Sequence, residues 1–338
     1  MRFSMEETRP ATIRTTSRPA PHDFQALAVS ARPLRISKGM SVEDAFRVTL
    51  LECLSHVAAN VSAVTRSREV EGLHQLRVGL RRLAVAFSAF GEEFNTPAQR
   101  ELQQRTKAFA SAIGAARDLD VFAEELFAPP AEAAGADEAF ALLGERLERA
   151  RADAWDSAVE RVSSVEFAIF LDDIAVAAQT RSWSLPTGAD LQNRLAVRAP
   201  VMSVAARMLD EYLVRARKRG RQVKSLEQRD CHRLRISLKK LRYAAEFYGP
   251  LYKHKRVKRY IKGLKELQDL LGSYNDTGQV RATLAQLTAD STASPRAQAD
   301  LYFASGHVNG WHSARAMRIG KNALKRWDKF RRLAPFWA

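Results

Sequence analysis

Two stretches of this sequence set an imidazole ahead of cations at helical spacing. In one, His74 precedes Arg77, Arg81 and Arg82; in the other, His232 precedes Arg235, Lys239, Lys240 and Arg242. Guanidinium groups match phosphate or carboxylate oxygens in a bidentate way, and ammonium groups act as mobile point charges. An imidazole beside them gains charge when an anion raises its pKa, or donates a hydrogen bond while neutral. The chemistry on offer is recognition of a linear polyanion that engages several cations at once. The plain alternative for His74 and His232 is a helix-packing histidine held by a carboxylate.

The elements that must position these groups are helices. At about 100° per residue, with His74 at zero, Arg77 falls near −60°, Arg81 near −20° and Arg82 near +80°. Leu76, Leu80, Leu83 and Phe87 take the other side, so one face packs and the other presents cations. The second stretch repeats the layout and adds Arg242, with Glu246 four residues on to orient it. A following helix is built the same way, with Lys255, Lys258, Arg259, Lys262 and Lys265 opposite Val257, Tyr260, Leu264 and Leu267. Its earlier counterpart is a dilute version, Arg100, Gln103, Gln104 and Lys107. An antiparallel hairpin around Gly249–Pro250 would set two basic stripes along one groove.

Sliding the chain on itself ties the two stretches together. At an offset of 158 residues His74 meets His232, Arg77 meets Arg235, and Arg81-Arg82 meets Lys239-Lys240. The register holds without a gap through Gly91/Gly249, Lys107/Lys265, Gly114/Gly272 and Asp118/Asp276. Ten of the 45 positions from His74 to Asp118 are identical, and they fall on chemically particular residues, which points to an ancestral duplication. The join is expected near 182–198, with one repeat at about 38–190 and the other at about 191–338.

The rest of the chain bounds the reading. Its 338 residues suffice for a large core, and apolar residues recur at i, i+3, i+4 and i+7 from Ser41 onward with almost no strand-like alternation. The fold class is therefore all-α, with ten to twelve helices. Breaks are expected at Gly91 with Pro97, at Gly114, at Pro129–Pro130, at Pro186–Gly188, at Gly249–Pro250 and at Gly272. Residues 1–37 read as a disordered basic tail. No apolar run approaches 18 residues, which speaks against a transmembrane helix, and Cys53 and Cys231 fit no metal spacing. A cytoplasmic protein without cofactor, metal or membrane insertion is expected. The formal charge of +16 is concentrated: residues 201–265 hold 11 Arg and 9 Lys against 5 acidic residues. Such crowding repels itself unless a polyanion offsets it.

On these residues the chain resembles the CHAD family, the conserved-histidine α-helical domain. His74-x-x-Arg77-Val78-x-x-Arg81-Arg82-Leu83 and His232-x-x-Arg235-Ile236-x-x-Lys239-Lys240-Leu241-Arg242-Tyr243-x-x-Glu246 look like its paired signature. Ile113-Gly114-x-x-Arg117-Asp118 and Leu271-Gly272-x-x-Asn275-Asp276 look like the helix-break element that follows, and Pro335-Phe336-Trp337 like the family's end. The resemblance covers about 38–338. It implies two pseudo-symmetric four-helix units around a basic central groove or channel, and binding of inorganic polyphosphate without catalysis at polyphosphate granules. In two respects the chain departs from the pattern. Ala84 stands where the second half has Arg242, and no companion triphosphate-tunnel domain precedes, so a stand-alone binding module is expected.

Other functions remain open at this point. Basic helices suit DNA or RNA, although no helix sets Asn or Gln for base edges. A metal-dependent phosphohydrolase or histidine phosphotransferase needs ligand or acid–base spacing that Asp118, Asp120, Asp269 and Asp276 do not supply. Asp118 and Asp276, four residues after their glycines, read as helix N-caps. The amphipathic segment Trp311–Phe330 reads as core packing rather than a membrane anchor.

Overall fold

The computed structural model describes residues 26–338 except 91–93, 95, 136, 185–190 and 290–292, with backbone alone at 184 and 191–194. Among the described residues there is no strand, and thirteen α-helices carry the fold. They are α1 (Val42–Ala59), α2 (Val61–Thr65), α3 (Val70–Ala89), α4 (Pro97–Ala112), α5 (Gly114–Val121), α6 (Ala128–Ala134) and α7 (Glu138–Ser163). The remaining six are α8 (Val165–Thr180), α9 (Leu191–Arg198), α10 (Met202–Gly220), α11 (Gln228–Tyr248), α12 (His254–Thr288) and α13 (Pro295–Phe330). Helix starts are written locally. The hydroxyls of Ser41, Ser164 and Ser294 accept the backbone N–H of Asp44, Phe167 and Ala297, and Asp137 caps α7 the same way. Pro97 and Pro295 stand in first turns, where a missing N–H costs little.

The starts of α1, α3 and α7 recur in α10, α11 and α13 after 157 to 160 residues. Between them the two halves differ. The first half breaks its chain: α4 ends, Ile113 leaves the helix, α5 begins at Gly114, and a π-helical turn over Phe122–Phe127 leads into α6. The second half runs the equivalent residues as one 35-residue helix, α12. The break expected at Gly272 is therefore absent. The prolines Pro129 and Pro130 also fail to interrupt the helical path, because they occupy the first turn of α6. Pro186–Gly188 and the chain up to residue 25 lie outside the described residues.

One large core joins α1, α3, α8, α10, α11 and parts of α12 and α13, with Phe46, Leu50, Leu80, Tyr248 and Leu264 almost fully buried. A smaller core gathers Phe122, Phe140, Leu143, Val280, Leu284 and Leu301 at the far ends of α7, α12 and α13. The run Val42–Thr65 is long and apolar enough to cross a membrane, contrary to the reading from sequence. In the fold its apolar face, Ala45, Phe46, Leu50, Cys53 and Val57, packs in the large core. Residues 26–37, assigned to the tail from sequence, are irregular yet packed. Leu34 and Ile36 are buried, and Asn60 holds the Val29 backbone at both N–H and C=O. At the other end Phe336 and Trp337 pack edge-on against Tyr260, and the Trp337 indole donates to Asp210 at 2.8 Å.

Candidate functional site

The helices α3 and α11 each bury an apolar face and leave the other for cations. On α3, Leu73, Leu76, Leu80 and Leu83 are fully buried, as are Leu234, Leu238 and Leu241 on α11. Gly79 lets α1 come close behind α3, since a Cβ there would lie 2.8 Å from Val57 Cγ2. The two helices pack against each other, which brings the cationic faces together.

Arg77 and Arg235 sit at equivalent places. Arg77 Nη1 donates to the Gly114 carbonyl at 3.2 Å and to Asp118 Oδ1 at 2.6 Å. A Cβ on Gly114 would stand 3.4 Å from Arg77 Nη2, and one on Gly272 would stand 3.4 Å from Arg235 Nη2. Gly272 thus lies beside an arginine inside a continuous helix, not at a break. The N-cap reading of Asp118 and Asp276 is also corrected. Asp118 is the fifth residue of α5 and pairs with Arg77, while Asp276 lies deep within α12 facing Arg235 and Lys239.

The electrostatics place four cations from the two helices within reach of one another. Burial holds Arg81 down to about 10, with Arg77 and Arg235 adding to the push and Tyr243 and Asp118 opposing it. Burial also drives Lys239 down to about 6, reinforced by Arg81, Arg235, Arg77 and Arg242. Burial raises the Asp276 carboxyl above its ordinary value, against the pull of Arg235, Asn275 and Lys239. The Nε atoms of Arg77 and Arg235 are both buried without a hydrogen-bond partner. These are strong donors facing a site with more positive than negative charge.

The histidines flank this cluster. His232 Nδ1 is 2.7 Å from Asn275 Oδ1, so that nitrogen carries the proton and donates to the amide oxygen. His74 has Arg117 at the equivalent position. Burial first, then Arg117, Arg81 and Arg77, lowers the His74 pKa against the pull of Glu71, which keeps the ring neutral at pH 7. Arg117 and Asn275 were read from sequence as part of the helix-break element and not as site residues, although each stands 43 residues after its histidine.

Other sequence-nominated residues lie elsewhere. Arg82 is buried against the Phe247 ring and pairs with Glu246 at 3.5 Å. Arg242 pairs with the same carboxylate at 2.7 Å and donates to Gln268 at 2.9 Å, so Glu246 orients it as expected. This node ties α3 to α11 beside the cluster, near enough for Arg242 to act on Lys239. Lys240 turns to a different side, where Lys107 of α4 and Arg215 of α10 join burial in lowering its pKa.

The cations of α12 divide. Lys258 and Lys265 fall within about 20° of Asp276 around the helix, so they extend the cluster's face along α12. Lys255 is turned about 60° further round. Arg259 and Lys262 line a cleft of about 210 Å³ against Arg326 and Lys329 of α13. The α11–α12 hairpin forms around the short turn Gly249–Leu251, yet its stripes converge only in part. Among the described residues no three His, Cys, Asp or Glu side chains gather at metal-binding spacing.

A family model described as CHAD domain matches residues 49–285. The crystal structure of the CHAD domain from the plant Ricinus communis is similar with a TM-score of 0.76 and 23% identity, over 91% of this chain and 98% of that one. PptA from Streptomyces chartreusis is similar with a TM-score of 0.60 and 17% identity, over 86% of this chain and 99% of that one. No curated protein matches the sequence.

Proposed function

Because the chain belongs to the CHAD domain family, we propose that it binds inorganic polyphosphate at the central cluster, acting as a binding protein rather than an enzyme. One observation carries the reading: Arg77, Arg81, Arg235 and Lys239 crowd together from two helices, with two buried guanidinium N–H groups left without partners. Crowded like charges oppose one another, and a flexible chain of closely spaced negative groups offsets that repulsion along its length. Lys258 and Lys265 continue the track along α12, and His74 and His232 border it. Association with polyphosphate granules in the cytoplasm follows as the cellular counterpart of such binding.

The test is a titration of long-chain polyphosphate against duplex DNA and single-stranded RNA, at matched phosphate and about 150 mM salt. A preference for polyphosphate of tenfold or more, about 1.4 kcal/mol, is expected. Log affinity should fall linearly with log salt as counterions are released. Equal or better binding to nucleic acid, or an affinity indifferent to salt, overturns the reading.

A further inference from the structure

We propose that the outer face of α13 is a self-association surface, on which a second copy of this chain packs antiparallel about a two-fold axis. The inference does not rest on polyphosphate binding at the cluster.

The sequence sets this face. Leu301, Ala304 and Val308 turn one side of α13 into the smaller core, and all three are fully buried. The opposite side runs from Ala299 to Met317, about five turns, without a charged residue. On it Tyr302, Phe303 and Met317 are 62%, 59% and 59% exposed. An uncharged run of that length carrying two exposed rings marks a contact surface rather than a solvated one. Gly306 and Gly310 lie in the middle of the same side. A Cβ on either would meet nothing within 4 Å, whereas every other described glycine inside an α-helix has a neighbour at that range. Glycine weakens a helix interior relative to alanine, and packing within the fold gives no reason for it here. Two glycines one turn apart on the surface let another backbone come close.

The face fits a copy of itself. Turning α13 end for end about a two-fold axis level with Val308 sets Gly306 against Gly310 of the second copy. The same operation lays Tyr302 on Ser313, Phe303 on Ala314 and Met317 on Ala299 of the second copy, a large side chain on a small one at each level. Charge follows the same register. Asp300 and Arg318 flank the face on one side, and neither has an ion-pair partner among the described residues. The operation brings each beside the other from the second copy. Arg296, which then faces Lys321 of the second copy, is already paired with Glu138 at 3.6 Å. A partner that itself carries +16 approaches most easily where the surface holds no cations. One helix a side is a small contact against the about 800 Å² per partner of a standard interface, so the association is reversible and depends on concentration.

The experiment is sedimentation of the full chain without polyphosphate, from about 1 to 100 μM at about 150 mM salt. The mass should rise toward that of two chains. Gly310→Glu sets a carboxylate beside the axis and should hold the protein at the mass of one chain, with helix content unchanged because the added side chain meets open space. If that variant fails to fold, Phe303→Ser on the exposed face serves the same purpose. Disulfide cross-linking reads the register, and the buried Cys53 and Cys231 do not compete. Ala299→Cys with Met317→Cys should join two chains, while either change alone should not, because like positions stand about 27 Å apart along the antiparallel pair. A dimer that survives Gly310→Glu and Phe303→Ser, or one that cross-links through either single cysteine, overturns the proposal. A chain that stays single throughout the range also overturns it. Binding to neutral phosphatidylcholine vesicles that Phe303→Ser abolishes would then assign the face to a lipid surface instead.

Discussion

The cationic faces of α3 and α11 share a sequence pattern but differ in how much of it is already engaged. On α3, Arg77 is held by Asp118 and the Gly114 carbonyl, and Arg82 is buried against Glu246 and Phe247. On α11, Arg235 makes no ion pair or hydrogen bond among the described residues, and neither does Lys240, the counterpart of Arg82. The two matching motifs thus differ: Arg77 and Arg82 of α3 are both engaged within the fold, whereas on α11 Arg242 is engaged and Arg235 is not. The excess charge of residues 201–265 falls on the α11 copy.

The largest effect expected from this difference is on stability. Arg82→Ala removes the longer of the two ion pairs to Glu246, which Arg242 keeps at 2.7 Å, together with the buried packing on Phe247, and should cost about 2.5 kcal/mol. Lys240→Ala, at the equivalent position, should stay within about 0.5 kcal/mol. Denaturant unfolding of the two variants measures both, and similar losses would break the comparison. Next comes affinity. Arg235→Ala with Lys239→Ala should weaken polyphosphate binding by about 2 kcal/mol, against about 1 kcal/mol for Arg77→Ala with Arg81→Ala. Each pair should also reduce the slope of log affinity against log salt. Equal losses would mean that the internal Asp118 pair does not occupy Arg77. The smallest effect sharpens the same point. Asp118→Asn frees Arg77 and should raise affinity by about 0.5 kcal/mol, the range of an exposed ion pair. An unchanged or weaker affinity in the same titration would count against it.

Much of this was legible before the fold. The offset of 158 residues located both motifs, and helical periodicity gave the all-α class. The face geometry also held a warning about Arg82, which lies about 100° from Arg81 around the helix and so points into the α3–α11 seam. The roles of Gly272 and Asp276 were not legible. A glycine reads alike whether it ends a helix or lies within one, and only the continuous course of α12 distinguishes the two. An aspartate four residues after a glycine likewise suggests a cap until the helix is seen to run through. The second basic stripe was overextended for a related reason. Arg259 and Lys262 share a helix with Lys258, but the packing of α13 turns their side toward a separate cleft.

The uninterrupted course of α12 has a mechanical consequence. At 1.5 Å per residue its 35 residues make a rod about 52 Å long. One stretch of the rod carries Gly272 and Asp276 against the arginines, and the next carries Val280, Leu284 and Leu287 into the smaller core. The first half has no such rod, because Ile113 and the π-helical turn interrupt it. Strain applied at the cluster is therefore passed along a stiff member on one side and absorbed by joints on the other, so the far lobe follows α12.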